Sequence, residues 1–306
     1  MIGIIIGSVC LGLFILFFVF LYYVYNLTFY SPKKWQNKEL QTDKSLNYQG
    51  LENEVLDVTQ KILDVPYEDL QIKSFDGLNL HAYLYRNESS NDFVIMFNGY
   101  RGVVRRDMGF GALEMIELKK NVILCDQRAH GKSEGHSITF GRKEQRDVVS
   151  WVNFVKEKWG NSVKITIVGI SMGAATVLLA SDKIDSNIKI IADCPYSSQK
   201  DVIKHSMKSL GLPPNLLWPF AYLAAIIFAH ARLKDDALVN VSNSKCEILI
   251  FHGTADTIVP YKMSERVYLS NKDHVQFELF EGVEHGLSCL SDTPRYKKIV
   301  KEFLER

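Results

Sequence analysis

Gly169-Ile170-Ser171-Met172-Gly173 is a G-x-S-x-G segment between an apolar run, Val163 to Val168, and a helical pattern, Ala174 to Asp182. A chain turning that sharply from strand to helix holds its serine in a strained conformation with Oγ exposed, and glycines two residues to either side remove side chains that would collide. A serine hydroxyl is a weak nucleophile at neutral pH; it needs a base, and the base needs an orienting carboxylate. His252-Gly253-Thr254-Ala255-Asp256 follows the run Ile248 to Phe251, and Glu281-Gly282-Val283-Glu284-His285-Gly286 follows Val275 to Phe280. Asp256 is the expected acid and His285 the expected base, in the chain order serine, acid, histidine. Asp193, which also ends an apolar run, is the second candidate for the acid. The other histidines read as surface or structural residues.

Attack by Ser171 on a carbonyl would create an oxyanion, which needs preorganised N–H donors. One is the backbone N–H of Met172. The other is expected from Asn98-Gly99-Tyr100-Arg101-Gly102, after the run Phe93 to Phe97: Gly99 lets backbone approach the substrate, and Tyr100 N–H is the candidate donor. This chemistry needs no metal and no organic cofactor.

These residues must be held by strands and helices in alternation. Leu70 to Phe75 and Leu78 to Tyr85 flank Asp76-Gly77, a hairpin signal. Short apolar runs follow at Phe93 to Phe97, Val122 to Cys125, Val163 to Val168, Ile188 to Ala192, Ile248 to Phe251 and Val275 to Phe280, with helical patterns such as Gln145 to Lys158 between them. That order predicts an α/β fold with a mostly parallel central sheet and helices on both faces. The alternation breaks between Asp193 and Ile248. There Ser197 to Leu210 and the apolar Leu216 to His230 read as helices of a lid insertion, about 197–236. Trp218, Phe220, Tyr222 and Phe228 on the second helix are the expected substrate-binding aromatics.

Ile2 to Tyr25 carry no charged side chain. As a helix they span about 36 Å, enough to cross a bilayer core with some tilt. Tyr22, Tyr23, Tyr25, Tyr30 and Trp35 follow as an interfacial belt would. No small-x-small cleavage site follows the run, so an uncleaved transmembrane anchor over 1–30 is expected rather than a signal peptide. A stalk or covering segment over 31–66 and one catalytic domain over 67–306 complete the organisation. Lys33, Lys34, Lys38 and Lys44 lie just after the span, and the positive-inside rule then favours the cytoplasm for the catalytic domain. The five cysteines show no metal-ligand spacing and read as reduced. A formal net charge of +1, with no basic run among aromatics, argues against nucleic acid as a partner.

The chain resembles the α/β-hydrolase superfamily, and within it the bacterial serine-aminopeptidase-like (S33-type) hydrolases. The resemblance covers Leu70 to Arg306. It rests on FNGYRG at 97–102, CDQRAHGKSEG at 125–135, the GISMG elbow, ADCPYSS at 192–198, HGTADTIVP at 252–260 and EHGLS at 284–288. It implies Ser171, Asp256 and His285 as the catalytic residues. Asn98-Gly99 stands where the family usually has His-Gly, and Arg128-Ala129-His130-Gly131 where it has Arg-Gly-His-Gly. Similar anchored hydrolases are often taken to face outward, so both sides of the membrane stay open. The expected function is serine hydrolysis of an acyl ester; the expected partner is a small-molecule acyl substrate, and the apolar insertion and the anchor point to a lipid-derived one. A peptidase, an acyltransferase or thioesterase, and a membrane-tethered binding protein are the alternatives.

Overall fold

The computed structural model describes residues 2–32, 39–42 and 46–306. Lys33, Lys34, Trp35, Lys38 and Lys44 lie outside these residues. The chain opens with helix α1 (Ile2–Thr28), then α2 (Glu52–Leu63), the hairpin β1 (Glu68–Lys73) and β2 (Asn79–Tyr85), and β3 (Asp92–Phe97). Two helices follow, α3 (Val104–Asp107) and α4 (Gly109–Glu117), then β4 (Asn121–Cys125), α5 (Glu144–Trp159), β5 (Lys164–Ile170), α6 (Met172–Ala180) and β6 (Lys189–Asp193). The long connection holds α7 (Gln199–Ser209), α8 (Pro214–Phe228) and α9 (Ala237–Asn243). The chain ends with β7 (Ile248–Gly253), α10 (Lys262–Ser270), β8 (Val275–Phe280), α11 (Ser288–Ser291) and α12 (Thr293–Glu305).

The strands form one sheet in the order β1-β2-β4-β3-β5-β6-β7-β8. β2 is antiparallel to β1 and β4, and every later pairing is parallel. Parallel strands buried on both faces need apolar side chains throughout their buried length, and β3 meets this from Phe93 to Phe97. Phe93, Ile95 and Phe97 face a core shared with α5, α6, α9 and α10, while Val94 and Met96 face one shared with α2, α4 and α12. The Arg128-Ala129-His130-Gly131 loop is held as structure. Buried Arg128 donates through Nε and Nη2 to Asp147 at 2.6 and 2.7 Å, and through Nη1 and Nη2 to Asp76 at 2.9 and 3.1 Å.

A third cluster closes the end of the sheet. Tyr25 of α1 and Phe29 just after it are buried there with Phe140, Met172, Tyr196 and the small face of α8, Ala221, Ala224 and Ala225. The expected boundary at residue 30 therefore cuts through packed structure. Leu21, Tyr25 and Phe29 are no more than 7% exposed, so the last turns of α1 belong to the body built on the sheet. The chain after α1 is tied in as well: Ser31 N–H donates to His136 O and Ile138 N–H to Phe29 O.

Candidate active site

Ser171 sits between β5 and α6 with φ 54° and ψ −115°, a region of backbone space an L-residue enters only when its surroundings force it. The two flanking glycines provide that force through different contacts. A Cβ on Gly169 would lie 2.3 Å from the Gly173 carbonyl carbon, and one on Gly173 would lie 2.2 Å from Phe97 O. The first lets the turn close on itself; the second lets α6 start against the end of β3. Ser171 N–H donates to Asp193 O at 2.8 Å, fixing the elbow to β6.

The His loop and the acid turn are built as one piece. A Cβ on Gly253 would lie 2.1 Å from Val283 O, so only glycine lets the two segments meet. Thr254 N–H donates to Phe280 O and Ala255 N–H to Val283 O. His285 Nδ1–H donates to Asp256 Oδ2 at 2.6 Å, and Ser171 O–H donates to His285 Nε2 at 2.8 Å. Asp256 Oδ1 accepts the N–H groups of Ile258 and Val259 at 2.9 and 2.7 Å.

Sequence reasoning missed His252. Its Nε2–H faces Asp256 Oδ2 at 3.1 Å and Val259 O at 2.8 Å, and its Nδ1 bonds Ser264 Oγ at 2.7 Å. Its position four residues before the acid at a strand end was the available signal. Asp193, the second candidate for the acid, accepts from Ser288 Oγ at 2.9 Å and makes no hydrogen bond to His285.

Burial alone would raise the Asp256 carboxyl, but the His285 charge and the two imidazole hydrogen bonds hold it well below the usual carboxylate range. Burial alone would lower the His285 ring; the Asp256 charge and hydrogen bond outweigh it and raise its pKa. Asp193 is buried without a cation in contact, and its carboxyl is pushed up to about 6.

Met172 N–H opens α6, and Tyr100 N–H lies in the loop after β3. Among the described residues, neither has a hydrogen-bond partner. Gly99 lies against the serine, since its Cβ would sit 3.5 Å from Ser171 Cβ. Buried Asn98 stands in for the family histidine; its Nδ2 donates to Gly99 O, and its main-chain oxygen accepts from Gln127 Nε2. The loop thus keeps its shape without an imidazole.

A cavity of about 660 Å³ opens over Ser171 and His285. Among the described residues its apolar wall comes from Leu46, Tyr48, Val55, Val58, Phe110 and Leu290, and its polar wall from Arg101, Arg106 and Asp107. Trp218, Phe220, Tyr222 and Phe228 are not on it, which corrects the expectation that the insertion lines the pocket. Phe220 lies against Phe17 and Phe20, Phe228 against Tyr22 and Tyr25, and Trp218 against Tyr222. The reason is that α8 and α1 are both uncharged and apolar, and each buries a face on the other. The segment before α2 covers the site instead. Gln49 Nε2 donates to Gly282 O, Glu284 N–H donates to Gln49 Oε1, and Asn47 Nδ2 donates to Glu284 Oε1.

Among the described residues, one trio could present ligand atoms to a metal: Cys194, Asp256 and His285, with those atoms within 4.8 Å of one another. Burial pushes the Cys194 thiol well up, which keeps it protonated and a poor ligand.

A family model described as serine aminopeptidase, S33, matches residues 90–223. The Pyrococcus furiosus esterase Pf2001 superposes with a TM-score of 0.65 at 26% identity, over 80% of this chain and 93% of its own. The chain belongs to the α/β-hydrolase superfamily. An uncharacterized Bacillus subtilis protein, YqkD, is 27% identical over 76% of this hydrolase and 78% of its own length. The lysophosphatidylserine lipase ABHD12 of Danio rerio is 24% identical over 71% of this chain and 59% of its own. In this hydrolase, β5, β7 and β8 deliver Ser171, Asp256 and His285 from the C-terminal ends of parallel strands, where sites of α/β sheets gather.

Proposed function

We propose that this chain is a serine hydrolase that cleaves the acyl ester of an amphiphile through a covalent acyl-enzyme. The observation that carries the reading is the continuous line Ser171 Oγ to His285 Nε2 at 2.8 Å, then His285 Nδ1 to Asp256 Oδ2 at 2.6 Å. Ser171 Oγ attacks the ester carbonyl while His285 Nε2 takes its proton. Asp256 stabilises the resulting imidazolium, and the N–H groups of Met172 and Tyr100 receive the oxyanion. His285 then protonates the leaving alkoxide, and water repeats the sequence to free Ser171. The esterase and lipase among the similar proteins favour an ester. The cavity, apolar on one wall and polar at Arg101, Arg106 and Asp107, suits an acyl chain joined to a polar head.

In the same reading α1 is a retained membrane anchor. Its length and composition suit a span, and its buried last turns argue against cleavage, which would open the core. The lysines after α1 favour the cytoplasmic side.

A second reading, an aminopeptidase, is favoured by Asp107, a carboxylate on the cavity wall beside Gly99 that could meet a substrate amine. It is weakened by Arg106, whose guanidinium holds Asp107 Oδ1 at 2.9 Å. The test is a fluorophosphonate probe on the full chain and on Ser171→Ala, followed by p-nitrophenyl esters of rising chain length, lysophospholipids and amino-acid p-nitroanilides. Labelling lost in Ser171→Ala with ester turnover supports the proposal. Turnover of the anilides alone would replace it with the peptidase, and a folded chain that never labels would refute the nucleophile.

A further inference from the structure

Among the described residues, the freely exposed part of α1 is shorter than a bilayer core is thick. Every side chain from Ile4 to Phe17 is exposed, and Phe18 is the first to be sheltered. Ile2 to Phe17 make about 24 Å of helix, whereas a hydrocarbon core is about 30 Å thick. The missing thickness falls on the turn Phe18 to Leu21, and any tilt extends it further. That is where α8 lies. The Phe220 ring centroid is 5.4 Å from that of Phe20 and 6.3 Å from that of Phe17. Further along, Phe228 meets Tyr22 and Tyr25, so α8 runs beside α1 in the same direction. The N-terminal end of α8 therefore points towards the membrane-embedded part of α1.

That end is built for an apolar surround. Leu210, Leu212 and Leu216 are 75%, 43% and 65% exposed. From Ser209 to Ala231 there is no Asp, Glu, Lys or Arg, while Lys208 and Arg232 flank the stretch. Backbone donors must be satisfied within the chain where water is absent. Here Leu210, Gly211 and Leu212 donate to Ser206 O, Lys208 O and Met207 O, and Pro213 and Pro214 have no N–H. The N–H groups of Asn215 and Leu216 stay without a partner among the described residues, as first-turn donors do.

We propose that the α7–α8 turn and the first turns of α8, Leu210 to Phe220, insert at the boundary between headgroups and acyl chains of the leaflet nearer the catalytic body, with the leucines among the acyl chains and the free N–H groups of Asn215 and Leu216 within reach of headgroups and water, and form a second membrane-contact element beside α1. The inference rests on α1 crossing the membrane. Its consequence is a fixed posture for the site. Tyr100 and Arg101, on the cavity wall, also bond the carbonyls at the C-terminal end of α1. With α8 embedded, the cavity is held at headgroup level, and substrate reaches Ser171 from the leaflet.

The test uses the full chain in phosphatidylcholine nanodiscs with an environment-sensitive fluorophore on single thiols. Native Cys10, exposed within α1, reports the anchor. Leu216→Cys in a Cys10→Ser background reports α8. Leu269→Cys in the same background is the control: exposed at the end of α10 before β8 begins, it lies towards the N-terminal ends of the parallel strands, opposite the C-terminal ends that carry Ser171. Cys10→Ser alone gives the labelling background. The expected result is blue-shifted emission at positions 10 and 216, quenched at least twofold by lipids with acyl-chain nitroxides, and none at 269. Quenching at 10 without quenching at 216 overturns the inference and leaves the anchor standing. A blue shift at 216 that nitroxide lipids do not quench means that protein, such as a second copy, covers the face, and also overturns it. Quenching at neither position overturns the spanning reading and this one with it.

Discussion

Arg101→Met should uncouple α1 from the loop after β3. Arg101 Nη2 reaches the carbonyls of Asn26, Leu27 and Tyr30 at 3.3, 3.0 and 2.8 Å, a cation on the free acceptors of a helix C-terminal end. Its guanidinium also lies 4.9 Å from the Tyr100 ring centre, and its own backbone is held at φ 52°. Hydrogen bonds from a charged donor contribute about 1.5–3 kcal/mol. Nε, buried without a partner, offsets part of that, since methionine leaves no such group. A net loss of about 2 kcal/mol is expected, which for a domain of this size lowers Tm by about 4–8 °C. Relief of the left-handed backbone at 101 then lets Tyr100 N–H drift from the oxyanion position. Losing one such donor outright costs about 10²–10³ in kcat, so a displaced one should cost about 10- to 100-fold. Because the donor acts on charge present only in the transition state, KM should change little. Ester kinetics and thermal melts of the full chain in detergent measure both. A lowered Tm with unchanged kcat would refute the coupling and leave the clamp as a purely structural device. No change in either would refute the clamp.

The acidic limb of kcat/KM should lie above the ordinary histidine range, because the base works only when neutral and Asp256 raises the His285 pKa; Asp256→Asn should move that limb to lower pH and cut kcat by about 10⁴. A pH–rate profile checks both. Asp193→Asn should keep ester turnover within a few-fold, since Asp193 bonds Ser288 rather than His285. Its folded pKa, about 6, is raised above the unfolded value, so the wild type loses stability as pH rises towards 6 and does not regain it above. The variant's gain in Tm should therefore be larger at pH 8 than at pH 4. Gly173→Ala should cost at least about 2 kcal/mol of stability, as overpacking does, because its Cβ would meet Phe97 O at 2.2 Å; soluble yield and urea melts read this out.

The strands and their order were legible because parallel strands buried on both faces are forced to be apolar throughout, and β3, β4, β5, β6 and β7 fall on runs visible in the chain. The order Ser171, Asp256, His285 was legible for a related reason: each lies in a glycine-containing segment just past a strand, and Gly169, Gly173 and Gly253 are sterically required where they stand. The apolar runs and the closing of the turn at Gly169 against Gly173 are local, so the sequence could determine them by itself; the contacts that require Gly173 and Gly253, with Phe97 and Val283, belong to the fold. What covers the cavity is not local. The apolar character of α8 says that it must be buried, but not against what; only the fold decides that it meets α1, while Gln49 and its neighbours bridge to Glu284 and close the site. The same holds for α1. Hydropathy marks a candidate span, yet the burial of Tyr25 and Phe29 in the body, and the grip of Arg101 on the carbonyls at the end of α1, come from contacts between residues some seventy to more than a hundred positions apart. Contacts of that range are set by how the chain packs, and no pattern within one segment encodes them.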